Sequence, residues 1–158
     1  MVVRVHGVHV VPVRFRAARH VLKKYMKIFI TANFQRERNK EEIEYLCQLV
    51  KSAGLEDFCF IRDIENYKKT FNNPQDLMQK AKEEISKSAA LLIDVTNKPT
   101  GRAIEAGIAF SLNKKIIVIA KKGTKIKETT LGIATLVIKY DDIKEIVVPL
   151  RKWTKSNR

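Results

Sequence analysis

One carboxylate stands where carboxylates are costly. From Ala103 to Leu112 the chain is almost wholly apolar or small, and Glu105 is its only acid. Burying a charge on such a helix costs several kcal/mol unless something compensates. The stretch before it, Leu91-Leu92-Ile93-Asp94-Val95-Thr96-Asn97-Lys98-Pro99-Thr100-Gly101-Arg102, is an apolar strand ending in an acid, then a bend and a helix start. Thr100 is placed to cap that helix, Gly101 admits close backbone approach, and the first free N–H groups form an anion site. Arg102 can add a charge-assisted contact to a phosphate. Alternatively it pairs with Glu105 three residues on, worth only ~0.2–0.5 kcal/mol. The helix dipole favours ionised Glu105, a nucleophile rather than an acid. Beside an anomeric carbon, such a carboxylate can form a glycosyl–enzyme ester. Asp94 can hydrogen-bond a sugar hydroxyl or hand a proton to a leaving base; its other reading is a turn acid capping Thr96 or Asn97.

Other chemistries are excluded by what the chain lacks. All three histidines, His6, His9 and His20, fall in the first 25 residues. From residue 26 onward, Ser–His–Asp catalysis, Cys–His catalysis and His-ligated metal sites are therefore ruled out. Neither a dinucleotide-binding Gly-x-Gly-x-x-Gly nor a phosphate loop occurs. No metal and no cofactor is expected. Cys47 and Cys59 fall in predicted core elements and suggest no disulfide framework.

These residues need a scaffold, and after residue 26 strands alternate with helices. Strands are expected at Lys27–Thr31, Phe58–Ile61, Ala89–Asp94, Lys115–Ala120 and Thr135–Lys139. Helices are expected at Asn39–Ala53 (stopped by Gly54), Pro74–Lys87, Gly101–Asn113, around Ile126–Ile133, and from Asp141-Asp142 to about Trp153. This order predicts an α/β domain: a five-stranded, mostly parallel sheet with helices on both faces, flavodoxin-like or Rossmann-like. Ligands of such sheets collect beyond the carboxyl ends of the strands. Thr31, Ala32, Asn33 and Phe34, then Arg62 and Asp63, then the Asp94–Glu105 segment all gather there. With 158 residues the chain has room for one domain, residues 26–158, preceded by a basic extension at 1–25 that reads as dispensable.

The formal net charge of +14 asks about nucleic acid. Six of the 31 basic residues lie in 1–25 with no acid, leaving 25 against 17 acids in the rest. That remainder suits a phosphate-bearing small molecule equally well, so nucleic acid is not the expected main partner. No apolar run approaches the roughly 18 residues that span a bilayer. The expectation is a cytoplasmic protein without a membrane partner.

The segment Ile93-Asp94-Val95-Thr96, followed by Gly101-x-x-x-Glu105-x-Gly107-x-Ala109 and Lys114-Lys115-Ile116-Ile117-Val118, resembles the nucleoside 2-deoxyribosyltransferase family. That family includes 2'-deoxynucleoside 5'-monophosphate N-hydrolases. Thr31-Ala32-Asn33-Phe34 after the first strand fits as well, and the resemblance spans about residues 27–153. It implies that Glu105 is the nucleophile, that Pro99–Arg102 receives a 5'-phosphate and that Thr31–Gln35 lines the sugar pocket. It also implies a homo-oligomer that completes each pocket from a neighbour, with Phe110 and 126–136 as candidate contacts. Three positions depart from the pattern: Ala81 stands for the family's Asp on the second helix, Phe29 for a first-strand Tyr, and Gln35 for an Arg, with Arg36 and Arg38 adjacent. The implied function is cleavage or exchange of the N-glycosidic bond of a (deoxy)nucleoside or its 5'-monophosphate. Ala81 and Phe29 keep open a non-catalytic nucleotide-binding or sensing protein of the same fold.

Overall fold

Lys27–Thr31 (β1), Glu56–Cys59 (β2), Ala90–Asp94 (β3), Lys115–Lys121 (β4) and Leu136–Tyr140 (β5) are the strands among the described residues. A computed structural model describes residues 25–32, 35, 38–97 and 100–158. The strands form one sheet in the order β2-β1-β3-β4-β5, and every pair is parallel. The helices are α1 (Lys40–Ser52), the single turn α2 (Phe60–Asp63), α3 (Pro74–Ser86), α4 (Thr100–Ser111), α5 (Glu128–Ile133) and α6 (Val147–Ser156). This is the flavodoxin-like α/β arrangement that the alternation predicts. The expected sites at Asn33 and Phe34, residues 1–24 of the extension, and Lys98-Pro99 lie outside the described residues.

Strand side chains alternate between two cores. Ile28, Ile30, Leu92, Ile117 and Ile119 pack with Ile43, Leu46, Cys47 and Val50 of α1 and Leu150 of α6. Phe29, Leu91, Ile93, Ile116 and Val118 pack with Ala81 and Ile85 of α3 and Ala106 and Ala109 of α4. Ile116 to Ala120 of β4 are wholly buried, as an inner strand covered on both faces requires. Gly54 supplies the left-handed φ of +86° that turns α1 into β2.

Two element boundaries differ from the sequence expectation. Phe60 and Ile61, expected to continue the second strand, instead begin α2. Arg62 explains the change: its guanidinium bridges the carboxylates of Asp57 and Asp63 at 2.7 Å each. Asp63 in turn accepts from the Cys59 amide at 2.9 Å, curling the chain back on itself. The last helix also starts late. A 3-10 turn at Ile143–Ile146, opened by a reciprocal Asp142–Glu145 capping box, precedes α6.

The chain leaves β1 for β2 on one side and β3 for β4 on the other, so loops diverge at the β1/β3 carboxyl edge and open a crevice. The α3 wall of this crevice is tied to the start of β1 by Glu84. That carboxylate receives Lys27 at 2.9 Å, Lys87 at 3.0 Å and Lys80 at 3.1 Å. The Lys27 hydrogen bond, against a desolvation cost and with Lys87 and Lys80 helping, holds it down to about 2. A depressed folded-state pKa stabilises above the ordinary 4.5, and the gain is lost as pH falls toward 2. Glu84→Gln is expected to cost about 1–2 kcal/mol at pH 7 in denaturant titrations. The difference from wild type should shrink below pH 4.5 and vanish near pH 2.

Candidate active site

Two cavities open at the β1/β3 edge. The larger, about 540 Å³, lies on the α1 side and is lined by Thr31, Asn39, Glu42, Tyr45, Asp94 and Tyr140 among others. The smaller, about 340 Å³, lies on the α3/α4 side and is lined by Phe60, Glu65, Leu77, Met78, Ala81 and Glu105 among others. Ala32 and Arg102 line both.

Glu105 sits one turn inside α4, where the alternation of small and apolar residues turns Ala106 and Ala109 into the core and leaves Glu105 toward the smaller cavity. The side chain remains partly accessible from that cavity, yet protein crowds it. Burial pushes its carboxyl up from the ordinary 4.5 to about 8. The nearby Cys59 sulfur and Glu65 add to the rise, and Arg102 opposes it. The expectation that the helix start keeps Glu105 ionised is therefore corrected. Desolvation outweighs the dipole and favours the protonated form.

Arg102, buried at 9% exposure, does not pair with Glu105 through a hydrogen bond. It donates instead to the backbone carbonyls of Asp94 and of Asn97, the latter at 3.3 Å. Its guanidinium thus fastens the loop between β3 and α4 and stands as a cation between the two cavities. Asp94 takes the turn-acid role: it accepts from the Thr96 amide at 2.8 Å, the Thr96 hydroxyl at 2.6 Å and the Tyr140 hydroxyl at 3.0 Å. Asp94 and Glu105 line different cavities.

The remaining expected residues divide. Ala32 lines both cavities, and Thr31, 2% exposed, lines the larger with a buried hydroxyl that has no hydrogen-bond partner among the described residues. Gly101 lines the smaller cavity, and a Cβ there would meet no protein atom within 4 Å. Thr100 opens α4, but its side chain lies outside the described residues. Arg62 and Asp63 line neither cavity, being held to each other and to Asp57.

Sequence reasoning missed Glu65. It follows α2 on a turn whose next two residues, Asn66 and Tyr67, have φ of +46° and +58°. The available signal was position: Glu65 comes soon after the second strand, on the edge where ligands collect. Among the described residues no cluster of histidine, cysteine and acids could hold a metal ion. No helix among them is long and apolar enough to cross a membrane.

Solved structures share this fold. A 2-deoxyribosyltransferase from Bacillus psychrosaccharolyticus matches 78% of this chain and 95% of its own, at 18% identity and a TM-score of 0.60. A CMP N-glycosidase from Clostridium botulinum matches 78% and 97%, at 21% identity and a TM-score of 0.57. A response-regulator receiver domain from Methylobacillus flagellatus matches 82% and 98%, at 10% identity and a TM-score of 0.51. No protein-family model and no curated protein matches the sequence. At such identities the likeness is one of fold.

A raised carboxyl has a stability signature. Between 4.5 and 8 the folded protein binds a proton at Glu105 that the unfolded chain has released, so stability falls as pH rises through that window and then levels. Glu105→Gln removes this loss. It is expected to unfold at a higher temperature than wild type at pH 8.5, by a few degrees, and to match it near pH 4.5.

Proposed function

We propose that this protein breaks the N-glycosidic bond of a nucleoside or nucleoside 5'-monophosphate, with Glu105 attacking the anomeric carbon. The observation that carries the reading is Glu105 itself, a carboxyl without a hydrogen-bond partner among the described residues, opening onto a cavity at a helix start. A group held at that cost and aimed into a hollow is a candidate for chemistry. A volume of about 340 Å³ suits a small molecule. The free amides at the start of α4 and the open Gly101 can take a phosphate. Asp94 holds the β3–α4 loop in shape, and Arg102 favours the ionised nucleophile once it forms. The chemistry named for the 2-deoxyribosyltransferase and the CMP N-glycosidase of the same fold supports this reading.

The outward side of α4 suggests how the cavity is closed. Ile104, a cavity residue, is 57% exposed and Phe110 is 56% exposed, with small Ala103 and Gly107 between them. A second copy of the chain seated on this stripe would cover both apolar side chains and wall the cavity from outside.

A panel of deoxynucleosides, ribonucleosides and their 5'-monophosphates, with and without a free acceptor base, tests the activity. Released or exchanged base is expected with at least one member, and Glu105→Gln should lower turnover by at least ~10³-fold. Turnover that survives the substitution removes Glu105 as nucleophile. Tight mononucleotide binding without turnover would support a sensor instead. Light scattering on Phe110→Glu checks the assembly: the variant is expected to be monomeric where the wild type is not, with a raised KM.

A further inference from the structure

Six acids among the described residues are at least partly withdrawn from solvent: Glu44, Asp57, Glu65, Glu84, Asp94 and Glu105. Four of them are satisfied. Glu44 accepts from the Tyr67 hydroxyl at 2.6 Å, Asp57 binds Arg62, Glu84 binds three lysines and Asp94 takes three donors. In this set the carboxyls of Glu65 and Glu105 alone have neither a hydrogen bond nor an ion pair among the described residues, and both line the same cavity. Withdrawn carboxyls without partners are disfavoured in a stable fold. Two of them in one hollow point to a shared task.

The placement of Glu65 is also built. The Arg62 clamp anchors α2, and the Glu65 amide donates back to Phe60 at 3.2 Å. Asn66 and Tyr67 then take the left-handed region, which side-chain-bearing residues enter only at a cost. The turn is locked by Tyr67 donating its amide to Ile61 at 2.9 Å and its hydroxyl to Glu44. Strain kept in place beside a cavity is characteristic of a functional turn.

We propose that Glu65 is the second catalytic carboxyl, which gives a proton to the departing base and takes one from the incoming nucleophile. This rests on the reading of Glu105 as the attacking group. The pair carries one proton. It moves from Glu105 to Glu65 as substrate enters. A Glu105 oxygen then bonds the anomeric carbon, the carbon–nitrogen bond breaks with its electron pair on the base nitrogen, and that nitrogen takes the proton from Glu65. In the second half water, or an acceptor base, loses a proton to Glu65 as it bonds the anomeric carbon and the Glu105 ester bond breaks. The pair again holds one proton.

Among the described residues, the charged and titratable groups facing Glu105 are Glu65, Arg102 and the Cys59 thiol; α3 offers Leu77, Met78 and Ala81, and the end of β1 is followed by Ala32. Burial raises both carboxyls, and Glu65 lifts Glu105 further. The singly protonated pair is therefore the active form in this proposal, and activity is expected to fall as pH rises through about 8, where Glu105 releases its proton.

The test compares kcat/KM on a turned-over nucleoside and on the matching 4-nitrophenyl glycoside, whose leaving group needs no proton. Glu65→Gln should lose at least ~10²-fold on the nucleoside and less than about tenfold on the nitrophenyl substrate. Glu105→Gln should lose both. Glu65→Asp, keeping the acid on a shorter stem, should recover part of the nucleoside rate. In the wild type, kcat/KM for the nucleoside should fall as pH rises through about 8, whereas the residual Glu65→Gln rate should rise with pH. Equal losses on both substrates, an unchanged nucleoside rate, or a wild-type profile rising through pH 8 would overturn the role of Glu65 while leaving Glu105 in place. A wild type inert toward every glycoside would bring down the reading of Glu105, and Glu65 with it.

Discussion

A carboxyl group partly withdrawn from water, with no hydrogen-bond partner among the described residues, is the constraint around which this structure is arranged. Glu105 lies on a helix packed through Ala106 and Ala109 against an inner parallel sheet, so little around it can supply a compensating charge. Its proton becomes tightly held. Everything near the cavity bears on where that proton goes: Arg102 draws it off, while Glu65 and the Cys59 sulfur push it back. Folding has here accepted an electrostatic cost that an alanine would have avoided, and a cavity lies beside the place where the cost is incurred.

The frame answers that cost with stiffness. The β3–α4 loop is tied at Asp94 and Asn97 by one guanidinium, and Asp94 ties the same loop to Tyr140 on β5 and, through Thr96, to the Lys121 amide. On the other wall, Glu84 gathers three lysines to hold α3 onto β1, and Arg62 gathers two aspartates to turn the chain beyond β2. Each ion pair is modest by itself, since partly solvated pairs contribute little. Their common effect is to tie α3 to β1 and to fix the turn beyond β2, the elements that flank the crevice.

The fold was largely legible in the sequence because its signals are local. Apolar runs such as Ile116–Ala120, the stripe of Ile43, Leu46, Cys47 and Val50, and Gly54 each state their element without outside help. Glu105 was legible for the same reason, an acid alone among small and apolar residues. What escaped depended on contacts between distant segments. Nothing in Ile93-Asp94-Val95-Thr96 says that Asp94 will meet Tyr140, forty-six residues away, and so turn from Glu105 to the other cavity. Arg102 reads as a phosphate ligand or a partner of Glu105 until the loop folds back and offers carbonyls. Glu65 lies in an aperiodic stretch, and its importance appears only once α2 forms where a strand was expected. The ionisation of Glu105 was misread because the dipole is visible in sequence and the crowding is not.

Arg102 grips backbone oxygens, and backbone oxygens are the same whatever the residue. Val95 and Asn97 could therefore be exchanged for other side chains while the loop keeps its course, provided the guanidinium stays. That stretch of the loop is thus free to change its side chains over a frame that does not have to be rebuilt.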